Sequence, residues 1–231
     1  MKKIKTDLVL CAGYGKRLKP LTDKMPKPLL KIKNITLLEN TLNLIKNLDI
    51  ENVLINTFYL KEQIKDFINR SKFDLNIKII EENEIILDTG GGIYNMIKNS
   101  DVNDFITFNP DTFWSKKYVE EIKSMEGFYF SNEIKNILMV VNKKKNFDNK
   151  LKGDFILSSN KLIKSEINEF IYTGCQLLNR SIFTNLNKIF FSMNDVWSSL
   201  ENNKELYGFE SNENFNHITD IETYKKFSKN N

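Results

Sequence analysis

Apolar and polar positions along the chain alternate between short buried runs and helical stripes. Leu8 to Cys11 is an apolar run that predicts a first strand, Leu37 to Leu48 carries Leu38, Leu42 and Ile45 at helical spacing, and Asn52 to Asn56 is again a short strand. The alternation continues with a helix over Leu60 to Phe67, a strand at Ile77 to Ile80, a helix at Ile93 to Lys98 and a strand at Phe105 to Phe108. Strand, helix, strand, helix at this pitch predicts right-handed βαβ units. The expected fold is α/β, a Rossmann-like, mostly parallel mixed sheet with helices on both faces. In such a sheet ligands sit beyond the carboxyl ends of the strands.

Past Trp114 the pattern changes to α+β. Asn136 to Val141, Gly153 to Leu157, Leu162 to Ser165 and Glu169 to Leu178 read as strands, with Ser159-Asn160 as a hairpin turn. Met193 to Leu200 predicts a helix burying Val196, Trp197 and Leu200. A strand at Leu206 to Phe209 and a helix through Tyr224 and Phe227 close the chain.

Three stretches converge on the predicted ligand edge. After the first strand, Gly13 and Gly15 let backbone N–H groups approach an anion, Arg17 offers a planar fork for two phosphate oxygens, and Lys27 is a point charge held between Pro26 and Pro28. The spacing is neither that of a P-loop nor Gly-x-Gly-x-x-Gly, because Leu18 stands at the last position. Leu87-Asp88-Thr89-Gly90-Gly91-Gly92 places three glycines at the expected start of a helix, where free N–H groups and the helix dipole favour a polar or anionic partner. Asn109-Pro110-Asp111-Thr112-Phe113-Trp114 sets a carboxylate at a strand tip, suited either to cap a helix starting near Ser115 or to bind a magnesium ion.

Composition narrows the partners. A net charge of +4 with lysines spread along the chain gives no basic patch that demands nucleic acid. No apolar span approaches membrane length, and Met-Lys-Lys-Ile-Lys at the N-terminus lacks a leader's apolar core, so the expectation is a cytoplasmic protein with no membrane partner. Cys11 and Cys175 lie in apolar strands and read as small buried side chains. His217 is the only histidine, which argues against a histidine-based metal cluster and a Ser-His-Asp triad.

The segment from Leu10 to Leu29, with Leu10, Ala12-Gly13, Gly15, Arg17-Leu18, Pro20-Leu21-Thr22 and then Pro26-Lys27-Pro28-Leu29, resembles the signature of the sugar-1-phosphate nucleotidyltransferases. Leu87 to Gly92 and Asn109 to Trp114 are similar to the short bacterial members that join UTP and N-acetylmuramate 1-phosphate in cell-wall recycling. The D-glycero-D-manno-heptose 1-phosphate guanylyltransferases are the alternative, and an inactive nucleotide-binding regulatory relative is the non-enzyme alternative. The resemblance implies one domain over residues 1–231, with a nucleotide-binding half (1–114) and a sugar-phosphate-binding half (115–231). It implies that Leu10, Ala12, Gly13 and Gly15 line the nucleotide side, with Arg17 and Lys27 on the phosphates. Asp88 and Thr89 would meet base and ribose, Gly153, Thr173 and Gly174 would border the sugar, and Asp111 with Asp220 would hold Mg²⁺. The implied partners are a nucleoside triphosphate and a sugar 1-phosphate, in a monomer or small homo-oligomer. Pro110, Ile218 and Glu222 depart from the family pattern, beside residues to which the resemblance gives metal roles.

Overall fold

A computed structural model describes residues 2–82, 84–148, 150–184, 186 and 188–230. Its centre is a nine-stranded mixed sheet built from β1 (Thr6–Leu10), β4 (Asn52–Thr57), β5 (Asn76–Glu81), β6 (Asp104–Phe108), β7 (Asn136–Asn142), β8 (Ile156–Ser158), β9 (Lys161–Ile163), β10 (Phe170–Asn179) and β11 (Tyr207–Ser211). Across the sheet their order is β5-β4-β1-β6-β10-β7-β11-β9-β8. The strands β5, β4, β1 and β6 run parallel, as the βαβ pattern requires. Next to them β10 runs antiparallel between β6 and β7, and β11 is parallel to β7, so one sheet takes strands from both halves of the chain.

Helices cover both faces. On one side α1 (Leu37–Ile45), α2 (Lys61–Arg70) and α4 (Tyr118–Ser131) pack Leu38, Leu42, Ile64, Ile122 and Met125 against Val9, Ile55 and Ile106. On the other, α3 (Asp88–Ile97) and α5 (Met193–Asn202) pack Ile93, Met96, Val196 and Trp197 against Leu8, Leu54, Phe105 and Leu178. Consecutive β1 residues thus feed opposite cores, which is why the strand reads as a continuous apolar run instead of an alternating one. The last helix, α6 (Ile221–Asn230), places Phe227 in a third cluster with Leu18, Leu30 and Ile218. That cluster anchors the signature loop to the chain's closing segment.

Two local features differ from the periodicity reading. Residues 16–29 hold three short 3-10 turns, Lys16–Leu18, Leu21–Asp23 and Lys27–Leu29, followed by a small hairpin of β2 (Lys31–Ile32) and β3 (Ile35–Thr36). The second is α3, which begins at Asp88, so the glycines lie inside its first turns. They are buried: the Gly91 N–H donates to the Phe191 carbonyl at 3.0 Å, and a Cβ on Gly91 would stand 2.3 Å from the Ile189 carbonyl oxygen. Gly90 and Gly91 serve close approach of the 189–191 segment and Gly92 that of Asn56 and Glu82, so the anion-binding expectation for the N–H groups is corrected at Gly91. Ser159-Asn160 forms the expected hairpin turn, with φ of 48° and 59°, between β8 and β9. No helix of the described residues is long and apolar enough to cross a membrane.

Candidate active site

At the carboxyl ends of β1 and β6 lies a cavity of about 240 Å³, lined by Leu10, Ala12, Gly13, Gly15, Lys27, Asp88, Thr89 and Asp111 among others. Eight of the predicted site residues therefore meet in one place. Gly15 is left-handed at φ 63°, and a Cβ there would meet Thr22 Cγ2 at 2.9 Å and Lys27 Cβ at 3.1 Å, so the turn both needs glycine and packs on the lysine. The Thr22 hydroxyl donates to the Gly15 carbonyl at 2.9 Å and fixes that turn. Gly13 has open space around it, and Arg17 is exposed with no hydrogen bond or ion pair among the described residues. Both are free to meet a ligand.

The charged centre is Lys27 with Asp111, where Nζ reaches Oδ2 at 2.7 Å and both side chains are largely buried. Burial opposes ionisation of Asp111, but the ammonium of Lys27 and the neighbouring His217 bring its carboxyl down to about 2. Its other oxygen, Oδ1, is buried and has no hydrogen-bond partner among the described residues; His217 Nδ1 stands 3.6 Å away. Burial lowers the pKa of His217, opposed by the charge of Asp111. The backbone explains this meeting: the Ile218 N–H donates to the Asp111 carbonyl at 2.8 Å, and Thr112 pairs with His217 in an isolated antiparallel bridge.

A carboxylate at the edge of this cavity suits a hard divalent cation, which commonly takes one or two protein carboxylates and completes its shell from substrate phosphates and water. Asp111 fits that role. Asp220 lies at the start of α6, where its Oδ1 accepts the Thr223 N–H at 2.8 Å. No group of three or more His, Cys, Asp or Glu side chains that could hold a metal occurs among the described residues.

A second cavity, of about 290 Å³, shares Leu10, Asp88, Thr89 and Asn109 with the first and adds Tyr172, Gln176, Ser192, Asn194 and Trp197. Trp197 Nε1 donates to Gln176 Oε1 at 3.1 Å, and the Tyr172 and Trp197 rings meet edge to face at 4.9 Å. Thr173 and Gly174 sit on the same strand as Tyr172 but line neither cavity. The Thr173 carbonyl accepts the Thr112 hydroxyl at 2.7 Å, and Gly174, at φ 91°, packs under Asn109, so they shape the Asp111 loop from behind. Gly153 also lines neither, because it packs against Asn168 and Glu169.

The sequence reading missed a buried polar link. Asn56 Oδ1 accepts the Cys11 N–H at 2.8 Å, its Nδ2 donates to Glu82 Oε1 at 2.6 Å, and Glu82 Oε2 accepts the Leu87 N–H at 2.7 Å. Burial raises the Glu82 pKa, while the Leu87 N–H and Asn56 oppose the shift. The link ties the strand end that carries the cradle to the helix start that carries Asp88 and Thr89. Its one signal in the sequence is an asparagine closing an otherwise apolar strand.

The nucleotidyl transferase family model matches residues 6–147, more than half of the chain and the part that holds the cradle, Asp88 and Asp111. The chain belongs to this family. Within the family it is similar to the N-acetylmuramate alpha-1-phosphate uridylyltransferase of Caulobacter vibrioides, 23% identical over 203 residues that cover 85% of this chain and 84% of the relative. It is also similar to the bifunctional protein GlmU of Methanococcus aeolicus, 40% identical over 104 residues, 45% of this chain. That match spans 24% of the GlmU relative's length, and the match to the Methanocaldococcus jannaschii GlmU spans 31%. Among solved structures, UDP-glucose pyrophosphorylase complexed with UDP-glucose superposes with a TM-score of 0.79 at 15% identity, covering 98% of each chain. HddC from Yersinia pseudotuberculosis complexed with GMP-PN gives 0.76 at 21% identity, covering 98% of this chain and 99% of that one. These likenesses establish the nucleotide-diphospho-sugar transferase fold.

Proposed function

We propose that this nucleotidyl transferase family member joins a nucleoside triphosphate to a sugar 1-phosphate, releasing pyrophosphate. The observation that carries the reading is the pair of adjoining cavities. One holds the glycine turn, Lys27 and Asp111; the other is lined by Tyr172, Gln176 and Trp197; and Leu10, Asp88, Thr89 and Asn109 border both. The first suits a triphosphate and the second a ring that stacks on aromatics and takes hydrogen bonds from amides and hydroxyls.

Chemistry of this kind needs no protein nucleophile. An oxygen of the sugar phosphate attacks the α-phosphorus in line, the bond to the β-phosphate oxygen breaks, and pyrophosphate leaves with its electrons. The protein positions two polyanions that repel each other and neutralises charge where they meet. Lys27 and Arg17 supply the positive charge from this chain, the Gly13 to Gly15 turn lets the backbone approach the phosphates, and Asp88 and Thr89 orient the nucleoside. A divalent cation such as Mg²⁺, held through Asp111, would add Lewis-acid stabilisation of the phosphate oxygens when bound.

The finer reading pairs UTP with N-acetylmuramate 1-phosphate, supported by the Caulobacter vibrioides relative, which aligns over most of both chains. Pyrophosphate release, with Mg²⁺ present, from UTP, GTP, CTP, ATP and dTTP against N-acetylmuramate, N-acetylglucosamine, glucose, mannose and heptose 1-phosphates tests both levels. Turnover confined to UTP with N-acetylmuramate 1-phosphate is the expected result. Turnover with another pair removes the finer reading, and silence throughout removes the enzyme reading.

A further inference from the structure

One polar side chain stands where the packing calls for an apolar one. Gln176 is 1% exposed, on the face of β10 that carries Leu178 and meets Trp197. Its backbone is registered with Thr107 of β6 on one side and Leu138 of β7 on the other, at the end of the register shift between Tyr172 and Gln176. An irregularity at such a place serves to re-aim a side chain. We propose that Gln176 determines sugar specificity by donating an Nε2 hydrogen to an acceptor oxygen on the sugar ring, with Trp197 as the residue that positions it. The sugar rests on the nucleotidyltransferase reading; the unused donor does not.

Three observations support the assignment. The indole N–H of Trp197 can only donate, so the amide atom it meets at 3.1 Å is the oxygen Oε1, and Nε2 is turned away from it. Among the described residues Nε2 has no hydrogen-bond partner, yet it is not sealed in the interior, because Gln176 lines the cavity of about 290 Å³. A buried amide left half satisfied costs stability, which a ligand's acceptor restores. The indole that holds Gln176 is locked in turn, edge to face with Tyr172 at 4.9 Å and with Phe155 at 6.3 Å. The donor is therefore aimed before the ligand arrives.

The lining decides which part of the substrate it meets. Asp88 is the one charged side chain among the described residues that line the second cavity, whereas Lys27 lines the first. A sugar phosphate then turns its phosphate to Lys27 and its ring to Gln176. The favoured class carries a hydroxyl, acyl carbonyl or carboxylate oxygen opposite Nε2. A ring without that oxygen, or with an ammonium in its place, leaves the buried donor unpaired and is rejected.

The sequence holds two glutamines, Gln63 and Gln176, so NMR of protein carrying ¹⁵N only at glutamine side-chain amides shows one NH₂ pair for each. Gln63 lines neither cavity and donates to the Lys24 carbonyl at 2.9 Å, so Gln63→Glu assigns the remaining pair to Gln176. The probes are glucose, mannose, N-acetylglucosamine and N-acetylmuramate 1-phosphates, each added alone and again with UTP in EDTA, with inorganic phosphate as the control. The expected result is a downfield shift of the Gln176 protons with at least one sugar 1-phosphate and none with inorganic phosphate. A pair that none of the four moves, or that inorganic phosphate moves as far, overturns the proposal. In steady-state kinetics, folded Gln176→Met should raise KM for the sugar 1-phosphate about tenfold and leave KM for the triphosphate within about twofold. A sugar KM that does not rise, or a rise shared equally by both substrates, also overturns it. A shifted pair with silence in the pyrophosphate assay keeps the donor assignment and removes the enzyme reading; pyrophosphate release with the pair unmoved does the reverse.

Discussion

Replacing Asn56 by leucine tests whether the link under the cavity holds the site together. The substitution keeps the side chain's size but removes an acceptor and a donor. The Cys11 N–H loses its acceptor at 2.8 Å, and Glu82 Oε1 loses its donor at 2.6 Å. Both groups are buried, and an unsatisfied buried group costs about 1–3 kcal/mol, with the upper end applying to a carboxylate. Two such losses sum to about 2–6 kcal/mol, and the apolar surface of leucine recovers part, which leaves a net destabilisation of about 2–4 kcal/mol. With a urea slope of about 2 kcal/mol/M, the unfolding midpoint falls by roughly 1–2 M. Cys11 leads into the cradle, Leu87 leads into Asp88, and Asn56 itself lines the nucleotide cavity, so the same loss loosens both walls and changes the lining between them. KM for the triphosphate should therefore rise by a larger factor than kcat falls. Urea unfolding and steady-state pyrophosphate release read the two effects. A midpoint within about 0.2 M of wild type, together with an unchanged KM, would refute the reasoning.

Lys27→Ala should lower kcat about a hundredfold or more, the scale of about 3 kcal/mol for one preorganised charge, with an unaltered circular dichroism spectrum; a rate within about threefold of wild type would remove the lysine from the transfer step. Asp7 is fully buried in β1, and burial pushes its carboxyl well above the ordinary value. The native state then holds that proton more tightly than the unfolded state, so stability falls as pH rises above about 4, by up to about 1.4 kcal/mol per pH unit, until the raised native value is passed. Asp7→Asn should lack this slope, and urea midpoints from about pH 4.5 upward that run parallel for the two proteins would contradict the sign. Gly91→Ala puts a Cβ 2.3 Å from the Ile189 carbonyl oxygen and should cost about 1–3 kcal/mol despite alanine's better helix propensity; equal or greater thermal stability would refute the packing role.

Strand and helix positions were legible because burial writes a period into the chain. The run at Leu8 to Cys11 has both neighbours apolar because β1 is central and feeds two cores, and the stripe Leu38, Leu42 and Ile45 faces one of them. The glycine turn was legible for a different reason. Gly15 needs a positive φ and leaves no room for a Cβ, so its chemistry is local and visible in a short window. The three glycines of α3 show where that argument stops. Glycine also permits close packing, and the partners that demand it, Ile189 and Phe191 for Gly91 and Gly90 and the Asn56–Glu82 pair for Gly92, lie far from them in the chain and carry no matching mark.

The closing segment makes the same point at the scale of a few residues. An aspartate beside an isoleucine in the closing segment matches a family motif, and that match selected Asp220. In three dimensions the segment is registered by one antiparallel bridge, Thr112 with His217, and by the Ile218 N–H on the Asp111 carbonyl. Pairing that short has no periodicity to read, so nothing in the local sequence says which residue of Asn216 to Asp220 faces the carboxylate. Ile218 is held to Asp111 by its N–H, its side chain is buried beside Leu18 and Phe227, His217 Nδ1 stands 3.6 Å from Asp111 Oδ1, and Asp220 Oδ1 accepts the Thr223 N–H. Ile218 and Glu222, which depart from the family pattern, take separate places in the structure. Ile218 anchors the segment to the core under the signature loop, while Glu222 pairs with Lys150 at 2.6 Å on the surface, away from the cavity.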